Sequence, residues 1–176
     1  MPLPEPSEYA PYHANYIAYV SEDDIVGALK SDLEATLALL RDVSEQEAER
    51  RHPPYTWSIK EVMGHVTDTE RVFGYRALCF ARGDTTPLPG FDENAYAQVA
   101  QSDQFRLSHL VAEFEMVRRS HVAFFDNLDH AAWSRCGTAN DSVISVRAMA
   151  YILVGHHRHH LGILRNRLTS SASSVG

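Results

Sequence analysis

Cysteine is scarce in this chain: only Cys79 and Cys136 occur in 176 residues, too far apart to form a metal-ligand pair by spacing. Each is read as a small buried hydrophobe rather than a reactive thiol. Blocks of Lys or Arg are also missing, and the formal net charge is -7. That balance argues against nucleic acid as a partner. No apolar run reaches the roughly 20 residues that a membrane-spanning helix requires, so no membrane association is expected. The opening MPLPEPSEYA has prolines and acids where a secretion signal needs a basic start and an apolar stretch. Two thiols without an export signal fit a reducing compartment, and a cytoplasmic location is expected.

What is present is ordinary globular material, 44% hydrophobic and 22% charged. The length suits a single domain over 1–176 that buries a core without disulfides. Residues 1–20, rich in Pro and Tyr, are expected to wrap the surface. Ser21 followed by Asp24 resembles a helix cap. From Ile25 to Val43 the apolar residues Ile25, Leu29, Leu33, Leu37 and Leu40 recur at helical spacing, which predicts a first helix. Ser44–Arg50 adds a short turn before His52-Pro53-Pro54 breaks the chain. Ser58 and Glu61 form a capping box that opens a second helix from Ile59 to about Arg82, closed by Gly83. Residues 83–104 read as a long functional loop. A third helix is predicted from Phe105 to Leu128, a connection over 129–142, and a fourth helix from Val143 to Leu168. The Ser-rich tail, 169–176, is expected to be disordered. With no strand candidate longer than a few residues, the fold class is all-α: a four-helix bundle with long connecting loops.

Histidine is the anomaly. The chain holds ten, and four of them lie between 156 and 160. On a wheel at about 100° per residue, Met149, Ile152, Leu153, Ile163 and Leu164 share one side of the fourth helix, and His156 and His160 fall inside that stripe. Arg167 falls on its centre line, which predicts a last turn emerging into solvent. Two imidazoles one turn apart can aim at a common point. Unpaired burial costs about 1–3 kcal/mol per polar group, and a shared cation would satisfy both. The plainer alternative gives each ring a backbone carbonyl or a wet edge. On the second helix His65 borders the stripe of Val62, Val66, Thr69, Phe73 and Phe80, and facing helices of bundles commonly supply metal ligands together. His157 and His159 flank the fourth-helix stripe; His13, His52, His109, His121 and His130 show no convergent spacing.

The segments WSIKEVMGHVTDTERVFGYR (57–76), PLPGFDENAYA (87–97) and GHHRHHLGIL (155–164) together resemble the DinB/YfiT-like superfamily over most of the chain. That resemblance implies metal ligands at His65, His156 and His160, one divalent ion such as zinc or nickel, and a bundle that is often a homodimer. Family members are described as metal-dependent hydrolases, and some transfer low-molecular-weight thiols such as bacillithiol or mycothiol. The expected function is a metal-dependent enzyme that activates water or such a thiol against a small-molecule substrate. The alternative is a non-catalytic protein in which the metal clamps the bundle; a metal- or pH-sensing regulator is the third reading. Candidate acid/base residues are Asp68, one turn beyond His65, with Asp92 and Glu93 on the long loop. Candidate substrate-binding residues are Trp57, Phe91, Tyr96 and Arg118. Plainer roles stand beside these: a surface charge, a solvated loop, a hydrophobic staple for Trp57 and an interhelical salt bridge for Arg118.

Overall fold

In a computed structural model that describes residues 1–173, the chain orders as α1 (Ala14–Ile17), α2 (Ile25–Leu40), α3 (Glu45–Glu49), α4 (Ile59–Ala81), α5 (Glu93–Ala100), α6 (Leu107–Asp126), β1 (Cys136–Ala139), β2 (Ser142–Ser145) and α7 (Val146–Ser173), with short 3-10 turns between. The four long helices α2, α4, α6 and α7 form the bundle. α4 packs against α6 and α7, and α2 packs against the same two, so each helix has two bundle neighbours. No helix among the described residues is long and apolar enough to cross a membrane.

Local chemistry sets the helix ends. Asp24 accepts from the Gly27 N–H and starts α2. Ser58 and Glu61 form a reciprocal box at the start of α4. Gly83, at a φ of 81°, ends it by letting the Asp84 N–H return to the Cys79 carbonyl at 3.0 Å. The short turn expected over Ser44–Arg50 is the short helix α3, capped by Ser44.

Several parts of the fold differ from expectation. Residues 136–145 form an antiparallel hairpin, so the fourth helix begins at Val146 rather than Val143. Asn140 and Asp141 both take positive φ (50° and 57°), the left-handed pair that a two-residue hairpin turn needs. The long loop holds a helix of its own, α5, and pins itself to the hairpin through Leu88, which pairs with Thr138 and Asn140. Beyond 168 the backbone is helical through Ser173; the rest of the expected disordered tail lies outside the described residues. Arg167 does not carry the last turn into water. It is buried and donates to the Arg50 and Trp57 carbonyls. Cys79 is half-buried and Cys136, expected inside, is exposed on β1.

The core is divided. One apolar cluster gathers Ile25, Leu29, Phe73, Phe80, Phe125 and the 146–154 face of α7; another gathers Leu33, Leu40, Val62, Val66, Leu110, Phe114 and Leu164. Between them, α4, α6 and α7 contribute polar side chains. Arg118, fully buried on α6, donates to both oxygens of Glu70 on α4 (3.1 and 2.6 Å) and to the Leu29 carbonyl on α2. His121 Nδ1 lies 2.8 Å from the same carboxylate. On the other side, His157 Nε2 meets the Thr36 hydroxyl at 2.8 Å. Burial alone would raise the Glu70 carboxyl, but the Arg118 charge and the His121 and Arg118 hydrogen bonds outweigh it and hold the group below its usual 4.5.

A carboxylate with a depressed pKa confers stability in full above the unfolded value and loses it as pH falls through the folded one. Glu70→Gln keeps the shape but leaves the Arg118 charge buried and unpaired, which is expected to cost about 3–5 kcal/mol in urea unfolding at pH 7. Below pH 4.5 the gap between the native and variant proteins should narrow. Equal midpoints at pH 7 would show that the pair carries no net stability.

Candidate metal centre and its cavity

Packing α4 against α7 brings His65 opposite His156, and the helical repeat places His160 one turn further on. The Nε2 atoms of His65 and His156 are 3.0 Å apart, and those of His160 and His156 are 3.1 Å apart. All three ring nitrogens lie within 4.8 Å of one another. His65 and His156 are buried and His160 is half-buried. Burial lowers His65 to about 4, with the Glu93 charge opposing, and lowers His160 to about 3, helped by His65 and His159. Burial, with the neighbouring histidines adding to it, puts His156 well below 6.5. All three rings are therefore neutral at pH 7.

Neutral rings at these distances conflict. An imidazole Nε2 carries either one hydrogen or one lone pair, so His156 can make one good hydrogen bond here, not two. A cation that accepts a lone pair from each ring removes the conflict. Ligand nitrogens about 2.0–2.1 Å from a tetrahedral zinc sit about 3.3–3.4 Å apart, close to the 3.0 and 3.1 Å separations of His156 from His65 and His160. The donor set fits such an ion.

The cluster opens into a cavity of about 370 Å³. One face of α4 lines it from end to end: His65, Thr69, Phe73 and Arg76. Trp57, Phe91 and Glu93 also line it, and the Trp57 ring lies 5.0 Å from that of His65. The remaining wall comes from segments that sequence reasoning had left out of the site. The N-terminal wrap supplies Tyr12, His13 and Tyr16, and the hairpin turn supplies Asn140. The Tyr16 ring meets the His156 ring edge-on at 5.2 Å. His159, of unassigned role, lines the cavity too.

Other candidates sit elsewhere. Asp68 does not line the cavity and lies 3.6 Å from Arg71. Asp92 caps α5, accepting from the Asn94 and Ala95 N–H groups, whereas Glu93 beside it faces the cavity. Tyr96 is half-exposed and packs on Phe91 at 5.4 Å, outside the lining. Arg118 is committed to Glu70 in the interior, so the salt bridge prevails over substrate binding.

A helical bundle whose interior presents three imidazoles from two facing helices to a cavity is the class these features define. The DinB superfamily pattern matches residues 28–164, and the chain belongs to that superfamily. Among solved structures, it is similar to YfiT from Bacillus subtilis, described as a probable metal-dependent hydrolase with an unusual four-helix bundle topology. The TM-score is 0.78 at 16% identity, covering 94% of this chain and 94% of that one, a likeness of fold. No curated protein matches the sequence.

The wrap is held at close quarters. A Cβ on Gly155 would lie 1.9 Å from the Tyr16 carbonyl oxygen, a backbone atom that cannot swing aside. Within a helix, Gly→Ala normally gains up to about 1 kcal/mol. Gly155→Ala is expected instead to lose about 1–3 kcal/mol and to speed proteolysis within residues 11–20. A stabilised variant would mean that the wrap is not seated against α7.

Proposed function

We propose that this protein is a metal-dependent enzyme in which His65, His156 and His160 hold one divalent cation at the end of the cavity. The observation that supports this most is the mutual approach of three neutral Nε2 atoms, which no tautomer assignment satisfies. A cation bound there acts as a Lewis acid toward water or a low-molecular-weight thiol. Zinc and nickel both suit imidazole ligands. The YfiT description favours hydrolysis; thiol transfer to a small electrophile is the finer alternative for the same site.

The chain's own groups have separable tasks. Glu93 faces the cavity, its charge reaches both His65 and Tyr16, and its carboxylate has no hydrogen-bond partner among the described residues. It is the acid placed to take a proton from an incoming nucleophile. Trp57, Phe73 and Phe91 form the apolar walls that exclude water and hold the substrate body. A cavity of about 370 Å³ beside the cluster favours an enzyme over a clamp, which needs no cavity.

His156→Ala is expected to lose its metal, by elemental analysis, while circular dichroism stays helical. Glu93→Gln should keep the metal and lose about 10²–10⁴-fold in turnover, screened as ester or amide hydrolysis and as thiol conjugation of small electrophiles. Undiminished metal in His156→Ala would overturn the ligand set. Full stability loss on chelation, with no turnover in either screen, would favour the clamp.

A further inference from the structure

At the far end of the α4 face stands an arginine that the proposed reaction does not use. Arg76 is 6% exposed, yet no carboxylate pairs with it among the described residues. Its one protein hydrogen bond runs from Nη2 to the Pro89 carbonyl at 2.7 Å. Its guanidinium lies over the Phe73 and Phe91 rings at 5.3 and 5.9 Å. Among the described residues, most other buried or half-buried cations meet carboxylates: Arg118 has Glu70, Lys60 has Glu45 and Glu49, and Arg158 has Asp32 and Glu22, while Arg167, away from the cavity, is held by the Arg50 and Trp57 carbonyls. A buried charge without a partner is costly, and proteins retain such groups where a ligand completes them.

A second group points the same way. His13 is 6% exposed, its ring packs on Phe73 at 5.8 Å, and its Nδ1 has no hydrogen-bond partner among the described residues. Both residues line the cavity, and Arg76 is its sole lysine or arginine among the described residues. The end of the cavity thus offers one formal positive charge, a neutral imidazole nitrogen and flat aromatic walls. Glu93 adds a negative charge elsewhere on the lining, which disfavours a doubly charged ligand.

We propose that Arg76, with His13, reads a carboxylate, so that the substrate is a small monocarboxylic acid anchored there with its reacting group at the histidine cluster. This assignment of substrate class rests on the enzyme reading above; the carboxylate subsite itself does not. Planar guanidinium matches planar carboxylate, and the Phe73 and Phe91 rings suit a flat group better than a tetrahedral one. His65 and Arg76 are eleven residues apart on α4, about 16 Å along the axis, so a spacer of several bonds separates the two ends of the ligand. Thr69, Phe73 and Ile152 line the path and suit a mostly apolar spacer.

The test is a titration with hexanoate and with hexanamide, followed by the fluorescence of Trp57 in the cavity wall. Native protein is expected to prefer hexanoate by about 10- to 100-fold, the range of a charge-assisted contact. Arg76→Met should abolish that preference while binding hexanamide as before. Its ligand-free melting temperature should equal or exceed the native one, since an uncompensated buried charge is gone; a merely structural arginine would lower it. Arg76→Lys, which keeps the charge without the planar fork, should keep a reduced preference. Repeating the titration in His156→Ala separates the two readings. A preference that persists there belongs to Arg76 whether or not a metal binds. A preference that vanishes there, or that survives Arg76→Met, overturns the assignment and places the carboxylate on the histidine cluster instead.

Discussion

Three neutral imidazoles facing one another inside a bundle make an interaction that protein groups alone do not resolve. Each buried nitrogen left without a suitable partner costs about 1–3 kcal/mol, and hydrophobic residues at the same positions would cost nothing. The fold keeps the rings in place regardless: His65 by the packing of α4 on α7, and His156 and His160 by the helical repeat of α7. Every other feature of the interior is arranged around that choice. The apolar core is split into two clusters, and the polar layer between them is held by the Arg118–Glu70–His121 and His157–Thr36 contacts.

That pairing explains how a bundle tolerates so many buried polar groups. Arg118 and Glu70 neutralise one another while touching α2, α4 and α6 together, and His157 settles on Thr36 of α2. These contacts fix the relative heights of the helices, and so the register at which His65 meets the α7 pair. Several groups left without protein partners lie on the cavity side: the histidine cluster, Glu93, His13, Thr69 and the spare donors of Arg76. A cavity that gathers several polar groups without protein partners is a candidate functional surface.

The bundle was legible because its helices bury one face each and carry strong caps, as at Ser58 and Glu61. Two imidazoles on the α7 stripe break an otherwise apolar period, which made them visible without a structure. The hairpin escaped notice because its strands are four residues long; its signal was Asn140-Asp141, a pair suited to positive φ. Helix α5 announced itself only through Asp92 as an N-cap before an Ala-rich stretch, easily read as catalytic acid instead. Arg118 is committed to Glu70 across the contact of α6 with α4, and Asp68 lies beside Arg71 one turn on along α4, placements that their residue types alone do not reveal. Tyr12, His13 and Tyr16 reach the cavity through tertiary wrapping, for which sequence has no periodic trace. Arg76 lies eleven residues beyond His65 on the same helical face, and that spacing was the clue available for it.

X-ray absorption at the edge of whichever metal accompanies the unmodified protein probes the convergence of the rings most directly. A first shell of nitrogen and oxygen donors, with outer-shell scattering from three imidazoles, is the expected spectrum. A sulfur shell, or scattering that accounts for fewer than three imidazoles, would contradict the meeting of α4 and α7 at one ion.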